Sequence, residues 1–380
     1  MDISYIINSL GEERSNYFNA VTPPIVQTSN FAFATVEELR NAMQQEMSSH
    51  LYTRGNNPTV EIVRKKIAAL EQTEDALLFS SGVAAVAAAV MHVVKQGDHV
   101  ICVRNPYSWT KYLLDEILVR FGITTTYVDG RETKNFEDAI QKNTTLIFLE
   151  SPNTFLLELQ DITAVTSLAK ANNIRTIIDN SYATPLFQNP HVLGVDIVMH
   201  TATKYLAGHS DVVAGVLCAD KETIAAIFKN EFMCFGAIPS PHDAWLLLRG
   251  LRTVELRLER SAANAKALTH YLALHPKVEK IIYPHHPSHD QHTLALQQMK
   301  NSSGLFSVLL KTNDQQKIEL FCNTLKRFLM AVSWGGHESL VFPACASAHT
   351  QYPINFIRFY TGIEQTDVLL QDVEDALRLI

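Results

Sequence analysis

From residue 76 onward, short β-branched runs alternate with longer stretches of helical period. Strand-length runs fall at 76–82 (ALLFSSG), 99–103 (HVICV), 124–129 (TTTYVD), 145–150 (TLIFLE), 175–180 (RTIIDN), 195–200 (VDIVMH) and 212–219 (VVAGVLCA). Between them lie helix-like segments at 83–94, 110–121, 135–142 and 164–173. This alternation predicts an α/β fold with a mostly parallel sheet covered on both faces. Beyond it, residues 243–275 read as one long helical segment, broken near Gly250. The runs at 305–310, 318–325 and 355–362 then predict a smaller C-terminal α+β unit. Residues 1–55 show no steady period and read as an extended arm, leaving 56–242 for the α/β domain and 243–380 for the C-terminal one.

In a parallel sheet, ligands bind beyond the carboxyl ends of the strands. That rule gathers Ser80, Ser81, Glu150, Asp179 and Asn180 at one edge. The stretch HTATKYLAGHSD (200–211) follows the next strand and carries Lys204 between hydroxyls and a Gly-His pair. Such a lysine is either a solvated loop residue or an amine that has lost its charge and can attack carbonyls, including that of pyridoxal 5'-phosphate (PLP). The second reading demands partners.

Candidates exist, each with a plainer explanation. FSSGVAA (79–85) ends a strand where a helix starts, so the Gly82 and Val83 amides can face a phosphate; it can also be a small-residue turn. Asp179 ends a buried strand, where it either caps a turn or meets a cation such as a protonated pyridine nitrogen. Tyr107 can stack on a ring or simply pack. Arg358, mid-strand among apolar residues, needs either an internal carboxylate or that of a substrate. Tyr52 and Arg54, two apart in YTRGNNPT (52–59), share one side if the arm is a strand. A rival site is PHHPSHDQH (284–292), whose His285, His286, His289 and His292 offer nitrogen ligands for a metal without defining a geometry.

Composition narrows the class. The content is 47% hydrophobic and 19% charged, and the net charge of −7 includes no basic block, so nucleic acid is not an expected partner. No 18-residue apolar run predicts a membrane span. Five cysteines without a CxxC pair, and an N-terminal stretch lacking a basic start and apolar run, predict reduced thiols and a cytoplasmic protein.

Seven ordered stretches, YTRGNNPT, FSSGVAA, LESP, IDNSYATPLFQNP, HTATKYLAGHSDVVAG, SWGGHESL and IRFYTGIE, together resemble the transsulfuration enzymes, the Cys/Met-metabolism group of PLP enzymes. The resemblance spans nearly the whole chain and implies the aspartate aminotransferase-like fold, type I. It implies that Lys204 binds PLP covalently, Asp179 pairs with the pyridine nitrogen and Tyr107 stacks on the ring. It assigns the phosphate to Gly82, Val83, Thr201 and Thr203, with Tyr52 and Arg54 reaching the phosphate of a neighbouring subunit. Sites shared in that way require a dimer, usually within a tetramer. Ser333 and Arg358 would orient and bind the substrate carboxylate, and Tyr107 with Tyr52 would assist proton transfers.

There are departures from the family pattern. Val83 replaces a common Met, Ser108 and Trp109 follow Tyr107 in place of two small residues, and Thr154 and Phe155 replace Asn and Pro. Members that make cystathionine, or cleave it on its γ side, carry acids where this chain has Leu51 and Val332. Trp334, in SWGG, resembles bacterial cystathionine β-lyases and would contact the substrate. The expected activity is therefore β-elimination from cystathionine, giving homocysteine, pyruvate and ammonia, with methionine γ-lyase and cystathionine γ-lyase or γ-synthase as the alternatives. A catalytically silent PLP-fold binding protein would lack the lysine.

Overall fold

The computed structural model describes residues 1–347 and 351–380. Its larger sheet has seven strands: β1 (Asp75–Phe79), β2 (His99–Val103), β3 (Thr124–Val128), β4 (Thr144–Glu150), β5 (Arg175–Asp179), β6 (Ile197–His200) and β7 (Gly215–Ala219). They lie in the order β1-β7-β6-β5-β4-β2-β3. Six run in the same direction, and β7 is antiparallel to both its neighbours, β6 and β1. Strands β2 and β7 are buried throughout, as expected of aliphatic runs sandwiched by helices. The helix Gly82–Val93, apolar nearly all round, lies against β7 and β6.

The smaller sheet has five strands: β8 (Val278–Ile282), β9 (Leu305–Leu310), β10 (Phe328–Met330), β11 (Ser339–Pro343) and β12 (Phe356–Tyr360), in the order β10-β11-β12-β9-β8. Only β10 and β11 pair in parallel. A second cluster of buried apolar side chains, including Phe306, Phe321, Phe328 and Phe359, packs between this sheet and the helices Gln315–Thr324 and Thr366–Arg378.

The first 55 residues hold more structure than their lack of period predicts. Helices Ile3–Asn8 and Val36–Gln44 start on local caps, where the Asp2 and Thr35 side chains accept the amides of Tyr5 and Glu38. Buried Lys66 ties down the first of these. Its Nζ donates to the carbonyls of Ile6 and Ile7 at 2.8 and 2.9 Å and pairs with Glu12 at 3.0 Å.

The long helical segment divides at Arg252–Thr253, two residues after the expected glycine, into Pro241–Leu251 and Val254–Ala273. Gly250 stays helical for another reason. A Cβ there would stand 2.7 Å from the Leu206 carbonyl oxygen, so the turn that follows Lys204 lies directly on the helix backbone. In an open helix Gly→Ala stabilises by about 0.8–1 kcal/mol. Gly250→Ala is expected to reverse that sign and destabilise by about 1–3 kcal/mol through overpacking, read as a fall in the urea midpoint of the holoprotein.

Candidate active site

Lys204 sits in a turn after β6, with its amide donating to Thr201 O at 3.1 Å and its carbonyl accepting Gly208 N at 2.8 Å. The turn is clamped from below by Arg257, whose Nη1 donates to Tyr205 O at 2.9 Å and Nη2 to Gly250 O at 2.7 Å. From above it meets Gly335, which has φ +91° and whose added Cβ would stand 2.8 Å from Lys204 C. Nζ of Lys204 donates to Ser333 Oγ and lies 5.3 Å from the Trp334 ring centroid. Ser333 itself holds φ 76°, a left-handed conformation that is costly for serine and concentrates at functional sites. Arg358 joins the group through Nη2, which donates to Ser333 O at 3.3 Å.

Burial pushes the Lys204 ammonium down to about 8, with the Arg358 charge acting in the same direction and Asp179 opposing it. Asp179 ends β5 in register with Glu150, which ends β4. Burial raises both carboxyls, and the charge of Asp179 helps carry Glu150 up to about 7. Two buried acids side by side fit a cation inserted next to them, and a protonated pyridine nitrogen is one.

The helix beginning at Gly82 supplies an anion site. Ser81 Oγ caps Ala84 N at 3.1 Å, and the preceding amides of Gly82 and Val83 belong to the first turn, which has no intrahelical acceptor. A Cβ on Gly82 would stand 2.9 Å from Thr201 Cβ, so the Thr201 side chain adjoins that helix start. Thr203 is arranged differently from the expectation. Its hydroxyl donates to Ala214 O at 3.2 Å and accepts Ala214 N at 3.0 Å, so its proton holds the loop rather than facing an anion.

Tyr107 is brought to the same edge, its amide donating to Glu150 Oε2 at 2.7 Å, and burial beside Asp179 and Glu150 raises its hydroxyl. Tyr52 and Arg54 are not brought to Lys204 within one chain. Both are exposed; Tyr52 forms an isolated antiparallel bridge with Asn30 and Arg54 lies in the turn that follows, with the guanidinium 5.5 Å from the Tyr52 ring centroid. Trp109 is exposed too, edge-on to Tyr112 at 5.5 Å.

The histidine loop forms no comparable centre. His285 and His286 turn Nδ1 to the hydroxyls of Ser302 and Ser288, each at 2.7 Å, and His292 turns Nδ1 to Pro284 O at 3.1 Å. Among the described residues no group of three or more His, Cys, Asp or Glu is placed to hold a metal ion.

The fit to PLP thus rests on a buried lysine of lowered basicity, a helix start open to phosphate and a paired-acid wall. A family model described as Cys/Met metabolism PLP-dependent enzyme matches residues 5–378. The chain belongs to that family. Members of the Cys/Met-metabolism family use PLP, and this chain is accordingly a PLP-dependent carbon-sulfur lyase or transferase acting on sulfur-containing amino acids. Among its relatives, an L-methionine gamma-lyase of Fusobacterium nucleatum subsp. polymorphum is 36% identical over 377 residues, covering 96% of this chain and 95% of that one. An L-methionine gamma-lyase of Pseudomonas deceptionensis is 38% identical, covering 94% and 93%. A cystathionine gamma-synthase of Mycobacterium bovis is 36% identical, covering 94% and 92%. The crystal structure of metB from Corynebacterium glutamicum superposes with a TM-score of 0.93 at 33% identity, covering 100% of this chain and 98% of that one, which establishes fold type I. The named relatives are γ-lyases and a γ-synthase, so they favour the γ branch over the β-lyase that SWGG suggests.

Two contributors went unread in the sequence. Glu150 was placed at the sheet edge without a role, yet it holds the Tyr107 backbone. Arg257 resembled any helical arginine; its signal was a charge on the face shared with Val254, Leu258 and Ser261, all buried here.

The Lys204 ammonium in the folded chain gives up its proton near pH 8, against an ordinary value of 10.5. The unfolded state binds the extra proton between those values, so stability of the cofactor-free protein rises with pH across that window. Arg358→Met removes one depressing charge and is expected to move Lys204 ionisation upward. The pH dependence of Lys204 modification by an amine-reactive reagent in cofactor-free protein measures this; an unmoved profile contradicts it.

Proposed function

We propose that this chain is a carbon-sulfur lyase that acts by γ-elimination on an uncharged thioether amino acid of the methionine type. The observation that carries the reading is Val332. It immediately precedes Ser333, which binds the Lys204 amine, and it is 72% exposed in the single chain. Where an acid would grip a distal ammonium there is an isopropyl group, and Leu51 on the arm is equally apolar. An uncharged thioether suits those positions, and the gamma-lyase relatives support the same choice.

When bound, PLP supplies an electron sink conjugated to the substrate amine. Lys204 would anchor it and would take the α-proton on Nζ; its lowered basicity keeps a neutral fraction at physiological pH. Ser333 Oγ holds that Nζ in place. Asp179 would pair with the ring nitrogen, and Tyr107 would stack on the ring. The Gly82 and Val83 amides with Thr201 hold the phosphate, and Thr203 fixes their loop. Arg358 takes the substrate carboxylate in its guanidinium fork. Trp334, packed on Tyr205 at 5.5 Å, keeps its ring 5.3 Å from the Lys204 amine. Tyr52 and Arg54 serve the site of a second subunit, so the active unit is at least a dimer. The second reading, β-elimination from cystathionine, is favoured by Trp334 in SWGG.

Product analysis separates the two. Methionine is expected to yield 2-oxobutyrate, methanethiol and ammonia; predominant pyruvate from cystathionine, with methionine inert, overturns the γ assignment. Lys204→Ala is expected to abolish turnover and the visible cofactor band together. Arg54→Ala and Lys204→Ala chains, each inactive alone, are expected to regain up to about a quarter of wild-type activity when randomly mixed, because one intact site forms per heterodimer. Verified heterodimers with no activity contradict shared sites.

A further inference from the structure

Thr154 and Phe155, where the chain departs from the family pattern, lie between the two ends of the site. Thr154 N and Oγ1 both donate to Glu150 Oε1, at 2.9 and 2.7 Å, while the other Glu150 oxygen holds Tyr107 N. Phe155 turns the opposite way. The guanidinium carbon of Arg358 lies 4.8 Å from its ring centroid and 5.4 Å from that of Phe342. The Phe155 carbonyl accepts Ser307 Oγ at 2.9 Å, and Ser307 is the register partner of Arg358 across β9 and β12. Backbone and ring are thus both fixed relative to the arginine. Tyr352 packs on the ring at 4.8 Å between centroids.

Arg358 is deeply buried, and among the described residues no carboxylate pairs with it. A buried guanidinium without a counter-ion is costly unless something else stabilises the charge. A carboxylate would do so by occupying the N–H fork. An aromatic ring stabilises the cation through its π system and leaves the N–H groups available.

We propose that Phe155 is a positioning residue for Arg358, holding the guanidinium against its ring so that the N–H edge stays open for the substrate α-carboxylate. The proposal rests on the reading of Arg358 as the carboxylate ligand. A proline, the common residue of the family here, has no π system, so carboxylate recognition in this chain depends on an aromatic side chain at 155.

The test uses holoenzyme carrying Phe155→Leu, Phe155→Tyr, Arg358→Met or the Phe155→Leu/Arg358→Met pair. Phe155→Met, which keeps most of the volume, replaces leucine if that variant folds poorly. Calorimetry gives the Kd of norleucine, a substrate-shaped amino acid without sulfur, and steady-state assays give KM and kcat. Phe155→Leu is expected to raise Kd and KM about tenfold, the worth of a desolvated cation–π contact, with a smaller effect on kcat. Phe155→Tyr is expected to stay near wild type, and in the Arg358→Met background the leucine change should add less than about twofold. A silent Phe155→Leu, or a full additional loss in that background, overturns the proposal while Arg358→Met still weakens binding. If Arg358→Met itself leaves Kd unchanged, the carboxylate reading of Arg358 falls, and this proposal with it.

Discussion

The hydrogen bond from Lys204 Nζ to Ser333 Oγ joins the turn that follows β6 of the larger sheet to the segment that precedes β11 of the smaller one. Three glycines allow that approach. Gly335 lets one segment lie against the other without a Cβ, Gly250 does the same beneath the turn, and Gly208 adopts φ +70° under the Arg257 guanidinium. Arg257 is itself a buried cation held by carbonyls and a threonine hydroxyl. Burial lowers it to about 10, still far above neutrality, so it stays charged and donates to the Tyr205 carbonyl of the turn.

The same crowding sets the electrostatics. Lys204 and Arg358, two cations, face Asp179 and Glu150, two acids, yet none of the four forms a salt bridge with another among the described residues. Burial disfavours the charged form of each, which is a poor arrangement for stability alone. It is a good one for a site whose ligands bring the missing charges: a carboxylate for Arg358 and a ring cation for Asp179. Groups shifted by burial toward neutrality are also those best matched to proton transfer at ordinary pH.

Much of this was legible in the chain. The alternating runs placed all seven strands of the larger sheet, because the inner strands are covered on both faces and so read as apolar runs, while the edge strand β3 is marked by β-branched residues. The position of Asp179 at a strand end and of Gly82 at a strand-to-helix turn follows from the same pattern. The helices in the first 55 residues were hidden because caps of one or two residues, not periodicity, start them. The role of Glu150 was hidden because its partner Tyr107 is 43 residues away.

By itself the sequence determined which elements form and which chemical groups they carry, since both depend on residue type and local spacing. Only the tertiary structure decided which groups meet. Lys204 and Ser333 are 129 residues apart, and Phe155 meets Arg358 where Ser307 of β9 bonds one and pairs with the other. The hydroxyl of Thr203 binds Ala214 rather than pointing to the helix start. Contacts of that kind depend on packing between distant segments, where a shift of one ångström makes or breaks a hydrogen bond, and no local pattern records it.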